Sequence, residues 1–113
     1  METLTLVLKM DGEDKRFVSP NFISGKLFRQ AAAIAEDYDS GKPEILDLDN
    51  QIQFVCDAYG NQFDFSEFED GVDSRRMMKT IYAVVNYVIG NIEQASRLLA
   101  AENEEDGSAE EKN

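Results

Sequence analysis

The sequence predicts an α+β domain that is mainly helical, in which an N-terminal β-hairpin packs on about three helices. Three observations favour this fold class. Apolar residues alternate at the N-terminus up to an Asp-Gly pair, three later segments carry apolar residues at helical spacing, and the last dozen residues, "ENEEDGSAEEKN", contain no aromatic or branched aliphatic side chain. We therefore expect a single globular domain over residues 1–101 and a disordered acidic tail over residues 102–113.

The N-terminal residues alternate with the period of a half-buried strand. The apolar face of this strand carries Leu4, Leu6, Leu8 and Met10. An Asp-Gly pair at 11–12 suits a two-residue type I′ turn, in which both central residues have positive φ, so "EDKRFV" returns as the second strand. A loop of two residues places Leu6 opposite Phe17, and Lys9 opposite Asp14 as an ion pair. Such a hairpin is marginal alone, so helices must cover its apolar face.

The first helix follows a connector, "SPNFIS", in which Pro20 keeps Ser19 out of helical geometry. Ser24 is the predicted N-cap of the segment "GKLFRQAAAIAEDYD". The side chains expected on its buried stripe are Leu27, Ala31, Ile34, Ala35 and Tyr38. The segment "DSGKP" ends this helix.

A second helix is predicted over much of residues 44–59, with Gly60 as its C-terminal stop. Its apolar stripe comprises Ile45, Leu48, Ile52, Val55, Cys56 and Tyr59. The helix begins either at Pro43 or at one of the potential caps Asp47 and Asp49. Cys56 is the only cysteine and is expected to be a small core residue, so no internal disulfide forms.

The connector after the second helix contains Ser66 and Glu69 at the spacing of a capping box. They predict a short helical turn that contains Phe68 and ends at Gly71. Asp73 is then the expected N-cap of a last helix from Ser74 to about Ala100, roughly 40 Å long. Its apolar stripe is Met77, Ile81, Val84, Val85, Val88, Ile92 and Ala95, which Tyr82 and Ile89 widen. Because so small a domain does not cover that length, Gly90 bends the helix or its far end projects.

The formal net charge is −12 and is unevenly distributed. Residues 36–73 contribute −11 and residues 102–113 contribute −5, whereas residues 1–35 carry +1 and residues 74–101 carry +3. Phosphate backbones and anionic membrane surfaces repel such a chain, so we expect neither nucleic acid nor membrane as a partner. No stretch approaches the length of an apolar membrane span, and the N-terminus does not have the pattern of a signal peptide.

The residue types that most often carry catalysis are scarce. The chain has no histidine, no glycine-rich phosphate loop and no serine in a nucleophile-elbow pattern. The acidic stretches "DYDSGKPEILD" and "DFSEFEDGVD" both fail the calcium-loop template. We therefore predict no enzymatic activity, no cofactor and no metal.

Three phenylalanines within six residues of the acidic connector exceed what a short crossover must contribute to a core. Two of them are expected to plug the core, and one or more to stay at the surface beside the apolar face of the last helix. Such a patch suits the amphipathic helix of another protein. The predicted partner-binding residues are Phe63, Phe65, Phe68, Tyr82 and Ile89.

Four stretches in this order and spacing resemble a known family. They are "KMDGEDKRFV", "SGKLFRQAAAIAE", "FVCDAYGNQF" and "FEDGVDSRRMMKTIYAVVNYVIG", and together they extend over most of residues 3–92. They are similar to the tail assembly chaperones of long-tailed phages and prophages of Gram-positive bacteria. The resemblance implies a protein of the bacterial host's cytoplasm that coats the helix-rich tape measure protein before tail tube subunits polymerise around it.

In many members of that family a ribosomal frameshift adds a second domain that recruits the tail tube protein. The ending "EEKN" can be encoded by an A-rich run on which ribosomes slip, so the resemblance extends to a frameshifted product with the acidic tail as its linker. Two other readings stay open: an acidic mimic of nucleic acid that inhibits a DNA-binding host protein, and a structural adaptor subunit of a larger assembly.

Overall fold

The computed structural model describes residues 2–41 and 47–99. It has the predicted α+β architecture: an antiparallel hairpin, β1 (Thr5–Met10) and β2 (Glu13–Val18), packs on a helical layer. The predicted tail over 102–113, and the proposed helix start at Pro43 with Ile45, lie outside the described residues.

The hairpin has the predicted register and turn. Leu6 pairs with Phe17 and Lys9 with Asp14, and the Lys9 and Asp14 side chains form an exposed ion pair at 3.9 Å. The turn residues Asp11 and Gly12 have φ angles of 54° and 81°, as the mirror-image turn requires.

Within residues 19–41 and 47–99, five α-helical segments follow the hairpin. They are α1 (Gly25–Asp39), α2 (Leu48–Ala58), α3 (Phe65–Gly71), α4 (Met77–Val88), which is preceded by a 3₁₀ turn at Ser74–Arg76, and α5 over residues 92–99. Helix α1 packs on α2 and α4, α2 also packs on α3 and α4, and α3 packs on β1. Two predicted caps are confirmed, since Ser24 accepts a hydrogen bond from the Lys26 amide and Asp73 from the Arg75 amide.

The ends of α2 are also defined. Asp47 occupies the N-cap position, although its side chain makes no capping hydrogen bond. At the other end Gly60 has a φ of 65°, and the Asn61 amide donates to the Cys56 carbonyl at 2.9 Å. This is the predicted glycine stop, closed by the six-to-one hydrogen bond of a Schellman motif.

The prediction of a capping box at Ser66 and Glu69 is wrong, because the box lies two residues earlier. The Asp64 carboxylate accepts from the Glu67 amide at 2.8 Å, and the Glu67 carboxylate accepts from the Asp64 amide at 2.9 Å. Only this frame places phenylalanines at the positions just before the cap and four residues after it, where Phe63 and Phe68 pack with ring centroids 5.9 Å apart. That hydrophobic staple selects the Asp64 frame.

A single last helix of about 40 Å is also wrong, because the helix ends at Val88. Gly90 has a φ of 98°, and the Asn91 amide donates to the Asn86 carbonyl at 2.8 Å. Gly90 thus ends α4 in a left-handed conformation rather than bending a continuous helix. The chain then forms α5, whose Ala95 is fully buried in the common core.

The core joins the apolar face of the hairpin to α2, α3 and α4. Leu4, Leu6 and Leu8 are buried as predicted, and Cys56 is fully buried. Tyr59 donates a hydrogen bond from its hydroxyl to the Leu4 carbonyl at 2.8 Å, so α2 is also tied to the start of the hairpin by a buried polar contact.

Candidate partner-binding surface

The acidic connector holds its phenylalanines in the core. Phe63 is 1 % exposed and packs edge-to-face on Phe17 of β2 at 5.0 Å, and on Tyr59 of α2 at 5.6 Å. Phe68 is fully buried and Phe65 is half-buried. Phe63 and Phe68 are therefore the two expected core plugs, and of the three only Phe65 presents part of its ring to solvent.

The two predicted partner-binding residues of α4 and its end are half-buried. The Tyr82 ring stacks on Tyr38 of α1, with centroids 4.9 Å apart and planes 7° from parallel. Its hydroxyl donates to Asp39 at 2.8 Å, and this hydrogen bond to a carboxylate raises the pKa of Tyr82. Ile89 is the C-cap of α4. Tyr82 thus fastens α1 to α4, and a partner would meet only the remaining part of its ring.

The most exposed aromatic side chains lie elsewhere. Phe22, in the connector before α1, is 81 % exposed, and Phe28, in the second turn of α1, is 52 % exposed. The sequence contained a signal for Phe28, because on the helical wheel it falls at the edge of the predicted stripe, beside Ala35 and away from Leu27 and Ile34. The acidic connector has a higher density of aromatic residues, and the sequence-based prediction therefore favoured Phe63, Phe65 and Phe68 over Phe28.

Helix α1 is the least buried of the three longest helices. Of its 15 residues only Ala31 is buried. We call the solvent side of this helix the outer face of α1; it consists of the exposed residues Lys26, Phe28, Arg29, Ala32, Ala33 and Glu36. Its mixture of an aromatic ring, two small apolar residues and charges is unlike an ordinary solvated helix surface.

A groove between α1 and α2 adjoins this face. It has a volume of about 310 Å³ and an apolar floor formed by Ala33, Ile34 and Phe54. Its polar rim consists of Gln30, Asn50, Gln53 and Asp57. An apolar floor with a polar rim suits the side chains of a docked protein segment.

A larger hollow of about 640 Å³ lies along β1 and the end of α3. Its charged lining is balanced, with Lys9, Arg16 and Arg76 against Asp14, Asp70 and Asp73. Several of these groups are already engaged, since Lys9 pairs with Asp14, and Asp73 accepts hydrogen bonds from Arg75 that lower its pKa to about 2. The lining of this hollow is therefore more polar than the lining of the groove between α1 and α2.

The one thiol of the chain is placed for packing. Burial, followed by the charge of neighbouring Asp57, raises the pKa of Cys56 to about 11, so the thiol stays protonated at neutral pH. Within residues 2–41 and 47–99 no group of His, Cys, Asp and Glu side chains could hold a metal ion. In the same ranges no helix is both long and apolar enough to cross a bilayer.

The model of a protein family described as phage tail chaperone protein matches residues 1–111, nearly the whole chain. The chain belongs to this family. Neither the comparison with curated proteins nor the comparison with solved structures gives a match. The resemblance drawn from the four sequence stretches is thereby confirmed at the level of the family.

Membership defines the class of function. A phage tail chaperone serves tail assembly, and its partners are tail proteins. The family is generally non-catalytic, in keeping with the buried, protonated thiol. We therefore expect the chaperone to act through its exposed surface rather than through an enclosed pocket.

Proposed function

We propose that this tail chaperone binds the tape measure protein and keeps it soluble until tail tube subunits polymerise around it, in the cytoplasm of the bacterial host. The observation that carries the proposal is the family match over residues 1–111. A small domain with exposed aromatic rings on α1 and in the connector before it supports the proposal, because a long helix-rich client must have its apolar faces covered before assembly.

The charge of the chaperone serves the same task. A net charge of −12 keeps a complex in solution and discourages contacts between chaperone-covered clients. The exposed rings of Phe22 and Phe28 supply apolar contacts to the client, while the charged surface around them stays hydrated. The function requires reversible binding and no covalent step.

Co-expression tests this proposal directly. The tape measure protein of the same phage is produced with the chaperone or with an unrelated acidic protein of equal size, and the soluble fraction is measured. We expect the chaperone alone to keep the tape measure protein soluble and to co-elute with it. Equal precipitation in both cultures would overturn the proposal.

Salt dependence separates this function from nucleic-acid mimicry. A contact anchored by apolar side chains still holds its partner when salt is raised from about 0.1 M to 1 M, although its charged contacts weaken, whereas a charge-based mimic of DNA loses its partner. Loss of the tape measure protein at about 0.3 M salt would count against an apolar contact.

A frameshifted longer product that recruits the tail tube protein is a second part of the proposal. It rests on the family and on the ending "EEKN", which lies outside the described residues. The gene sequence provides the test. A slippery heptamer followed by an open −1 frame supports the extension, and a gene without both features rejects it.

A further inference from the structure

The charges of α1 run against its helix dipole. The first two turns carry Lys26 and Arg29 and no acid, whereas the last two turns carry Glu36, Asp37 and Asp39 and no base. The partial positive charge at a helix N-terminus favours acidic side chains there and basic side chains at the other end. Both ends of α1 therefore have the less stable arrangement.

Neighbouring side chains give little compensation. No ion pair among the described residues involves Lys26, Arg29 or Glu36, and all three are exposed on the outer face of α1. Among the residues that the structure describes, Asp39 is engaged only by the Tyr82 hydroxyl, which is uncharged. Side-chain charges that oppose the helix dipole and have no ion-pair partner among the described residues can pair with charges of another protein.

We propose that the outer face of α1 is the docking site for an amphipathic helix of the tail-protein client, and that this helix lies parallel to α1. The inference rests on the proposed chaperone function and adds the surface and the orientation. An ordinary client helix, with acidic first turns and basic last turns, satisfies the dipole rule by itself. Placed parallel to α1, its acids meet Lys26 and Arg29, and its bases meet Glu36.

The apolar contacts of this site follow the same axis. Phe22 and Phe28 lie at the N-terminal end, where their exposed rings can anchor apolar residues of the client. Ala32 and Ala33 occupy the middle of the face and let the client backbone approach closely, since the distance between packed helices depends on the side chains at the contact. The groove beside Ala33 then receives one client side chain over Phe54.

The spacing sets the length of client helix that fits. Lys26 and Glu36 are ten residues apart, which corresponds to roughly 15 Å along the helix axis. A client segment of about four turns therefore spans both charged ends. Its apolar residues must recur every three or four positions to stay on the side that faces α1.

Designed peptides test the surface without any tail protein. Two fluorescent helical peptides of about four turns share one apolar face; the first is acidic at its N-terminus and basic at its C-terminus, and the second has the charges exchanged. Fluorescence anisotropy gives the Kd of each for the full-length chaperone. We expect the first to bind at least about tenfold more tightly. Equal Kd values, or tighter binding of the second peptide, would overturn the proposed orientation.

Two double variants locate the site. Phe22→Ser with Phe28→Ser should weaken the first peptide at least about tenfold, since exposed aromatic anchors dominate such contacts. Val7→Thr with Val18→Thr is the matched control, because these residues are 44 % and 46 % exposed and belong to strands that pack on each other and, for β1, on α3. Circular dichroism verifies that both variants fold. Equal losses in both, or none in the phenylalanine variant, would overturn the site.

Charge reversal separates binding from stability. Lys26→Glu with Arg29→Glu corrects the charge pattern at the N-terminus of α1, so the variant should melt at the same temperature as the wild type or higher. The same variant should bind the first peptide at least about tenfold more weakly and prefer the second. An unchanged preference between the two peptides would refute the role of these charges.

The tape measure protein distinguishes failure of the surface from failure of the function. If wild-type chaperone and the phenylalanine variant keep it soluble equally well, the function stands and the site is wrong. If neither does, the proposed client is wrong, and the designed peptides still decide whether the outer face of α1 binds helices.

Discussion

The Ser19 hydroxyl donates a hydrogen bond of 2.9 Å to the hydroxyl oxygen of Tyr87, which lies 68 residues further along the chain. Tyr87 in turn donates to the Glu2 carbonyl at 2.9 Å, and Ser19 accepts from the Leu4 amide at 2.9 Å. This buried relay joins the start of the hairpin, the connector before α1 and the helix α4. Its two hydroxyls form hydrogen bonds with the Leu4 amide and the Glu2 carbonyl, which would otherwise lose their hydrogen bonds to water on folding and gain none in return.

Tyr87→Phe should lower the free energy of unfolding by about 1–2 kcal/mol, because it removes the acceptor of the Ser19 hydroxyl and the donor to the Glu2 carbonyl. Urea denaturation at neutral pH measures the change. Tyr82→Phe is the control, since its hydroxyl bonds to exposed Asp39 and should contribute no more than about 0.5 kcal/mol. A larger loss in the control than in Tyr87→Phe would contradict the importance of the relay.

Gly71→Ala should destabilise the fold by about 1–3 kcal/mol, since an added methyl group overpacks the contact between α3 and β1. A Cβ at this position would lie 2.9 Å from the Lys9 carbonyl oxygen and 3.0 Å from the Leu8 Cβ. Gly25→Ala provides the matched control, because a Cβ there meets no atom within 4 Å and alanine favours the helix. The melting temperature should fall for Gly71→Ala and stay the same or rise for Gly25→Ala. An equal fall in both variants would be evidence against the close approach of α3 to β1 at Gly71.

Asp64→Ala should cost about 1 kcal/mol of stability, because it removes the acceptor of the Glu67 amide at the start of α3. Ser66→Ala should change stability by less than about 0.5 kcal/mol, because Ser66 lies inside the helix rather than at its cap. Chemical denaturation of both variants distinguishes the two frames. Comparable losses would mean that the capping box does not favour one frame in solution.

Cys56 should resist alkylation by iodoacetamide at pH 8 in the folded protein and react readily in urea, because the thiol is fully buried. Its pKa rises from about 9 in the unfolded chain to about 11 in the fold. The folded state holds this proton more tightly, so the associated stability is complete below pH 9 and is lost between pH 9 and pH 11.

The difference in unfolding free energy between wild type and Cys56→Ala isolates this titration from that of the tyrosines. It should be constant below pH 9 and shrink as the pH rises toward 11. A difference that is independent of pH across that range would show that burial does not shift the thiol.

The local features of this chain followed from short stretches of sequence. The alternation before Asp11-Gly12 set the hairpin register, because a shift of one residue would turn Leu6 and Leu8 to solvent. Ser24 and Gly60 marked helix ends through hydrogen bonds and backbone angles that depend on a few neighbouring residues. Such features require no knowledge of what packs on them.

Other choices needed the packed structure. Asp64 with Glu67 and Ser66 with Glu69 have the same spacing, and the pair that caps α3 was decided by the contact of Phe63 with Phe68. The end of α4 at Gly90 was likewise decided by burial, since a turn there allows Ala95 of α5 to reach the core.

The placement of the phenylalanines was also a tertiary decision. Phe63 and Phe68 meet Phe17 and Tyr59 from distant parts of the chain and are enclosed, whereas Phe28 lies just off the buried stripe of α1 and stays exposed. The sequence by itself determined the hairpin, the ends of α1 and α2 that Ser24 and Gly60 mark, the charge distribution and the resemblance to phage tail chaperones. Which aromatic rings face solvent depended on long-range packing, because burial is a property of the neighbours that surround a side chain rather than of its own residue type.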